Sequence, residues 1–321
     1  MRNWYKEWDE LCRFAGDNAL AAVGSCVALV GIFVNLIVGL SVGPNAVLAN
    51  LIGQNKRDKI NDMLHTILTF GMLLGVILML IRWLSARAIL ELSGTVNAIL
   101  NLVLVIAFGL GVSGVAIATV ISNVLSAAMV IIYLHRRNDE FSFRFHNMRI
   151  EKDYLLKVLQ IGIPSGIQGA IFSVSNVFIQ SGINSFGEYA IAGSSLALNF
   201  EYFTYDIANA FAQAAVTFIS QNYGAGNIKR CKKIFWQCML FGFVFTEILS
   251  LIFIIWGDFF VGIYTTSEMV AAYGLIRMYH VCSLEGLTTT YEVESAALRG
   301  MGKSLEPAIF TILGTVAFRL I

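Results

Sequence analysis

The chain has 321 residues, 57% of them hydrophobic and 13% charged, with a net charge of +1 and a mean hydropathy of +0.72. No soluble fold of this length has an interior large enough for so apolar a chain, and the near-zero charge leaves no basic footprint for nucleic acid. Apolar runs of membrane-spanning length recur along it, and only three prolines with almost no alternating ten-residue segments favour helices over a barrel. The expected class is therefore all-α, a polytopic helical membrane protein.

In chain order, residues 1–15 (MRNWYKEWDELCRFA) are neither a span nor a signal peptide, since no apolar core follows the charges. Spans are predicted at about Ala19–Leu48, Met63–Ile81 and Val115–Tyr133, with a short apolar segment after Arg87. Residues 135–157 are the one long polar stretch, rich in Arg and Lys, and read as a cytoplasmic linker. Spans follow at about Val158–Asn184, Ala190–Ser220, Ile234–Trp256, Ala271–Ala297 and Pro307–Ile321. The cysteines Cys12, Cys26, Cys231, Cys238 and Cys282 form no CxxC pair and read as apolar fillers.

Basic loops at 135–157, 222–233 and 299–303 fall on one side by alternation, as the positive-inside rule requires. In the first half the alternation fails. Three apolar segments lie between the basic loop at 54–62 and the linker, and an odd number sets those two loops on opposite faces.

An internal repeat accounts for this. Gly187–Arg230 and Gly16–Lys59 share one plan: a Gly-acid opening, an apolar run and a Gly-containing turn before basic residues. Gly187 and Gly16 stand 171 apart, as do Gly224 and Gly53, Phe241 and Phe70, and Asp206 and Asn35. After Ser93 the register shifts, so that Gly94-Thr95-Val96 pairs with Gly314-Thr315-Val316. The expected organisation is two pseudo-symmetric helical lobes: an incomplete N-terminal lobe at 1–134 missing about two helices, the linker at 135–157, and a C-terminal lobe at 158–321 with its last helix cut short.

Ionisable side chains inside a span are costly and mark pathways by default. The second half places Glu201, Asp206, Glu247, Glu285, Glu292 and Glu294 within spans. Glu201, Glu292 and Asp206 are the candidate cation- or proton-binding residues. Each carboxylate can take a proton, or Na⁺ with neutral oxygens from Asn176, Gln180 or Asn199. The plainer alternative is an acid at the membrane boundary or a bond to a neighbouring helix. Tyr202 and Tyr205, with Phe172, are candidates to line a cavity and hold an aromatic cation, although aromatics at helical spacing more often pack. Pro164 in GIPSG removes a backbone donor and bends its helix, as a hinge or a static kink. No Walker loop or HExxH motif is present, so an enzyme and an ATP-driven pump are not expected. GAGN at 224–227 reads as a helix-capping turn.

The motifs GDNALAAVG, IGIPSGIQ, GEYAIAGSSLA, ISQNYGAGN and ALRGMGKSLEP, in this order and spacing, resemble the multidrug and toxic compound extrusion (MATE) family from about Arg13 onward. The resemblance implies two six-helix lobes about a central cavity and export of organic, often cationic, compounds in exchange for Na⁺ or H⁺, with no other cofactor. It places an acid seven residues before the LRG arginine, where Glu292 precedes Arg299. It also implies that the first and fourth helices, the end of the eleventh and the twelfth have no counterpart here. The expected setting is a bacterial plasma membrane, multi-pass, with membrane lipids and small organic molecules as partners and no obligate protein partner. Two other readings stand beside the antiporter: an inactive remnant of such a transporter, and a flippase relative for lipid-linked sugars. The flippase would want Arg and Lys in the cavity, but Arg277 is the only candidate intramembrane cation and acids outnumber it.

Overall fold

The structure, a computed structural model, describes residues 34–84, scattered positions between 117 and 139, and residues 142–319. The expectations for residues 1–15, Cys12, Cys26, the GDNALAAVG motif and the segment after Ser93 lie outside the described residues. The described residues are mostly helical, with no strand among them.

The helices are α1 (Val34–Gly53), α2 (Arg57–Leu84), α3 (Lys152–Asn184), α4 (Glu188–Gly224) and α5 (Ile228–Ile255). They continue with α6 (Gly257–Tyr264), α7 (Glu268–Cys282), α8 (Glu285–Gly300) and α9 (Leu305–Arg319). α3 begins six residues before the expected span and reaches into the polar stretch, with Asp153 in its first turn where the helix dipole favours an acid.

The pattern on α5 confirms its solvent. Its buried residues are Cys231, Cys238, Gly242, Thr246, Ser250 and Phe253, mostly small or polar. Its exposed side chains include Trp236, Leu240, Phe241, Phe245, Ile248 and Ile255. A helix that turns bulky apolar groups outward and small ones inward is built for lipid. By length and composition α1, α3 and α5 can each cross a membrane.

Compact packing divides the chain into two units, one of α1 with residues from Leu156 onward, the other Lys56–Leu155. In the first unit α1 lies against α3 because two G-x-x-x-G segments face each other. These are Gly39–Gly43 on α1 and Gly162–Gly166 on α3. A Cβ on Gly162 would stand 2.8 Å from the Leu40 carbonyl oxygen, and one on Gly166 would stand 2.7 Å from that of Leu36. Only glycine lets the backbones approach so closely. Asn35 Nδ2 donates to Ser173 Oγ at 2.7 Å and Asn45 Nδ2 to Thr217 Oγ1 at 3.0 Å, tying α1 to α3 and α4. Asn35, the repeat partner of Asp206, thus makes a helix-to-helix bond.

Around α4 pack α8, α5 and α7. An apolar core of Leu196, Ala197, Phe200, Phe253, Val261, Met278 and Cys282 joins α4, α5, α6 and α7, with the Phe200 and Phe253 rings 5.0 Å apart. The GAGN turn closes α4, with Asn227 N donating to Asn222 O at 2.8 Å around Gly226 at φ 74°. This is the left-handed helix cap expected of that sequence. Gly53 and Gly300 both meet the last turns of α4, and Ser304 Oγ donates to Ile161 O at 2.7 Å. The turns after α1, α4 and α8 and the first turns of α3 therefore share one end, the end that carries the basic residues, as alternation predicts from the linker onward.

Two expectations are corrected. The span Ala271–Ala297 is two helices, α7 and α8, broken at Ser283-Leu284. The first amides of α8 have no cap from Leu284. Gly286 N instead donates to Glu247 Oε2 at 3.1 Å, so a carboxylate from α5 replaces the missing cap. The second correction concerns the loops at 54–62 and 135–157, expected on opposite faces. Within their unit they touch: Arg149 pairs with Asp62, Asn61 Nδ2 donates to Ser142 O at 2.8 Å, and Glu151 N donates to Thr66 Oγ1 at 3.0 Å. Phe143 is fully buried beside the His65 ring, 5.3 Å away.

Candidate functional site

Four of the six intramembrane acids, Glu201, Glu247, Glu285 and Glu292, fall into two clusters on α4 and its neighbours. The first centres on Glu292 in α8. Tyr205 Oη, from α4, donates to Glu292 Oε1 at 3.1 Å. Arg299, two turns further along α8, stands near enough for its charge to interact with Glu292. Arg299 Nη2 donates to Gln168 Oε1 on α3 at 2.6 Å, and Gln168 Nε2 donates to Thr311 Oγ1 on α9 at 2.9 Å. The chain Tyr205–Glu292, Arg299–Gln168–Thr311 thus links α4, α8, α3 and α9. Arg299 Nε is buried without a hydrogen-bond partner among the described residues.

The second cluster centres on Arg277 in α7. Its Nε donates to Glu201 Oε1 at 2.6 Å, its Nη2 to Glu201 Oε2 at 2.9 Å and its Nη1 to Ser194 Oγ at 2.6 Å. This is a two-pronged pair, the geometry in which a guanidinium binds a carboxylate most firmly. Glu285 is buried at the first turn of α8, close enough to Glu201 and Glu247 to feel their charges. Three carboxylates and one guanidinium therefore gather at the break between α7 and α8. Glu201, expected as a responsive carboxylate, is already neutralised by Arg277.

The remaining expected residues are placed as follows. Asn199, Tyr202 and Asp206 recur at i, i+3 and i+7 on α4, and all three are exposed. Asn199 Nδ2 donates back to Ser195 O at 3.2 Å. On α3, Asn176 is exposed, and Gln180 Nε2 donates to Asn184 Oδ1 at 2.9 Å. Pro164 lies inside α3, between the two glycines that meet α1. Phe172, Tyr291, Glu294, Phe310 and Thr311 line a cleft of 410 Å³ between α3, α8 and α9.

Gln168, Tyr291 and Ser194 were not anticipated. Gln168 lies four residues after Pro164 in IGIPSGIQ, and Ser194 sits in GEYAIAGSSLA. A polar residue one turn beyond a glycine-proline segment was the available signal. Which helix it would meet was not in the sequence.

Known proteins match this chain along almost its whole length. A family model described as MatE matches residues 11–133 and 164–321. The probable multidrug resistance protein YoeA of Bacillus subtilis is 22% identical, over 94% of this chain and 77% of its own length. That alignment runs over 361 positions, more than the 321 residues here, so the relative carries segments that this chain skips. The multidrug export protein MepA of Staphylococcus aureus is 28% identical, over 54% of this chain but only 38% of its own length. Among solved structures, an outward-facing multidrug resistance MATE family transporter superposes with a TM-score of 0.80 at 20% identity, covering 94% of this chain and 79% of that one. A mutant of the Vibrio cholerae MATE transporter VcmN gives 0.80 at 18%, covering 99% and 83%. The MATE transporter ClbM in complex with Rb⁺ gives 0.71 at 17%, covering 99% and 80%. With the family model spanning both halves and the fold shared with solved transporters, the chain belongs to the MatE family, an integral membrane transporter and not an enzyme.

Proposed function

We propose that the protein exports drug-like organic cations across a bacterial plasma membrane in exchange for H⁺ or Na⁺, with Glu292 as the responsive carboxylate. The observation that carries this is the Glu292–Tyr205 bond between α8 and α4. Protonation or Na⁺ binding changes what Glu292 accepts from Tyr205, and so biases the packing of the two helices. Arg299 counterbalances Glu292 when it is charged and holds α3 and α9 through Gln168. The Rb⁺ complex of ClbM lends support to a monovalent ion.

The exposed face Asn199, Tyr202, Asp206 on α4 fits the wall of a water-filled path, because an acid at membrane depth needs water or a partner. The cleft of Phe172, Tyr291, Phe310 and Glu294 offers ring faces and a carboxylate, which together suit an aromatic cation. Pro164 would be the point about which α3 bends as the lobes rock.

A second reading, a remnant without transport, draws on the alignment with YoeA, in which this chain skips segments. One experiment separates them. Ethidium uptake into everted vesicles is followed under an imposed H⁺ or Na⁺ gradient. Antiport predicts gradient-dependent uptake that Glu292→Gln abolishes. Uptake by the variant equal to that of the parent removes Glu292 from the mechanism, and no uptake of a panel of cationic dyes by the parent chain favours the remnant.

A further inference from the structure

At the basic end of the first unit, a cleft of 540 Å³ opens where the end of α1 meets the last turn of α4 and the first turns of α5. Its apolar wall includes Ile52, Phe218 and Ile234, and its polar wall includes Gln221, Arg230 and Lys233. Arg230 and Lys233 are three apart on α5, so they share one helix face. Both are exposed, and neither is in an ion pair among the described residues. Their neighbours Lys229 and Lys232 are exposed too and do not line the cleft.

We propose that this cleft is a binding site for an anionic phospholipid, with the headgroup phosphodiester between Arg230 and Lys233 and an acyl chain along Ile52, Phe218 and Ile234. Three features select that occupant. The cleft lies at the end where basic turns collect, which the positive-inside rule assigns to the leaflet side rich in negative surface charge. The helix carrying both cations presents Trp236, Leu240 and Phe241 to lipid immediately beyond them, so the cleft sits at headgroup depth. Its lining joins an apolar wall to a polar one that carries two cations, Arg230 and Lys233, which a soluble anion would leave half unmatched and a lipid would cover on both sides. Since the site ties α1 to the α4–α5 turn, an occupied cleft holds that end of the unit together.

The test uses the full chain, delipidated in detergent and examined by native mass spectrometry with dioleoyl phosphatidylglycerol, dioleoyl phosphatidylcholine or inorganic phosphate added. Phosphatidylglycerol should be retained in preference to phosphatidylcholine. Arg230→Gln with Lys233→Gln should weaken that retention about tenfold or more, the effect of losing one charge-assisted hydrogen bond or both. Lys229→Gln with Lys232→Gln removes the same charge outside the cleft and should leave it intact. Equal losses in the two double variants overturn the site in favour of diffuse attraction. Equal retention of the two lipids, or displacement of phosphatidylglycerol by millimolar phosphate, overturns the anionic lipid as its occupant. Co-migration of each variant with the parent on size exclusion confirms that the fold survives.

Discussion

Replacing Glu201 by Gln strands the Arg277 guanidinium, and the cost can be worked from the pair's surroundings. Two charge-assisted bonds of 2.6 and 2.9 Å join the side chains, which are only 14% and 22% exposed. A surface pair is worth about 0–1 kcal/mol, but breaking a buried one by removing a single partner costs about 3–5 kcal/mol, because the survivor keeps its charge without compensation. Ser194 still accepts one bond from Arg277, so Glu201→Gln should fall near the lower figure, about 3 kcal/mol. Arg277→Met should cost as much or more, since it leaves Glu201 beside Glu285. The double variant leaves neither charge stranded and should recover most of the loss. The assay is thermal unfolding of the detergent-solubilised protein for the parent, both single variants and the double. A double variant destabilised by the sum of the singles refutes the coupling. The same four proteins in the vesicle assay assign the role. Transport retained by the double makes the pair structural, and transport lost despite recovered stability makes Glu201 part of the ion pathway.

Three further outcomes are expected. Tyr205→Phe removes the hydroxyl from Glu292 while keeping the ring, and should lower gradient-driven dye transport more than thermal stability, which a side-by-side melt and vesicle assay would separate. Gly166→Ala forces a Cβ to within 2.7 Å of the Leu36 carbonyl oxygen and should cost about 1–3 kcal/mol in the melt, whereas Gly182→Ala meets nothing within 4 Å and should be neutral or stabilising by up to about 1 kcal/mol. In a cysteine-free background, Lys56→Cys and His146→Cys should react with an impermeant maleimide from the same side of the membrane, because the loops around Asp62 and Arg149 touch; labelling from opposite sides would contradict that contact.

Much of the fold was legible because lipid enforces a simple rule. Long apolar runs with few breakers must be helices, and their number and spacing survive without tertiary information. The register between Gly187–Arg230 and Gly16–Lys59 gave the shared end of the turns, where Gly53 meets Gln221. The break at Ser283-Leu284 was not legible. No proline stands there, and VCSLEG is as apolar as the flanking helix. What ends α7 and restarts α8 is a carboxylate from another helix, Glu247 on the Gly286 amide, 39 positions away in sequence. A cap supplied from outside the local sequence leaves no local mark.

The same reasoning explains the uneven fate of the candidate residues. Sequence identifies an acid inside a span, but its role is set by what the facing helix brings. Glu201 and Glu292 look alike in the chain. One faces Arg277 and forms a neutral, fully bonded pair; the other faces a tyrosine hydroxyl, which supplies a hydrogen bond and no charge. A carboxylate bound to a cation gains little from a second positive ion. One that accepts its direct bond from a neutral hydroxyl, with Arg299 near it but hydrogen-bonded to Gln168, keeps an oxygen lone pair open to a proton or a metal ion. The partner, more than depth in the membrane, is therefore why the proposed antiport is assigned to Glu292 rather than Glu201. It also gives a use for Arg277. By neutralising Glu201 at the α7–α8 break, Arg277 limits the charge there to that of Glu247 and Glu285, two acids that the first turn of α8 can itself stabilise.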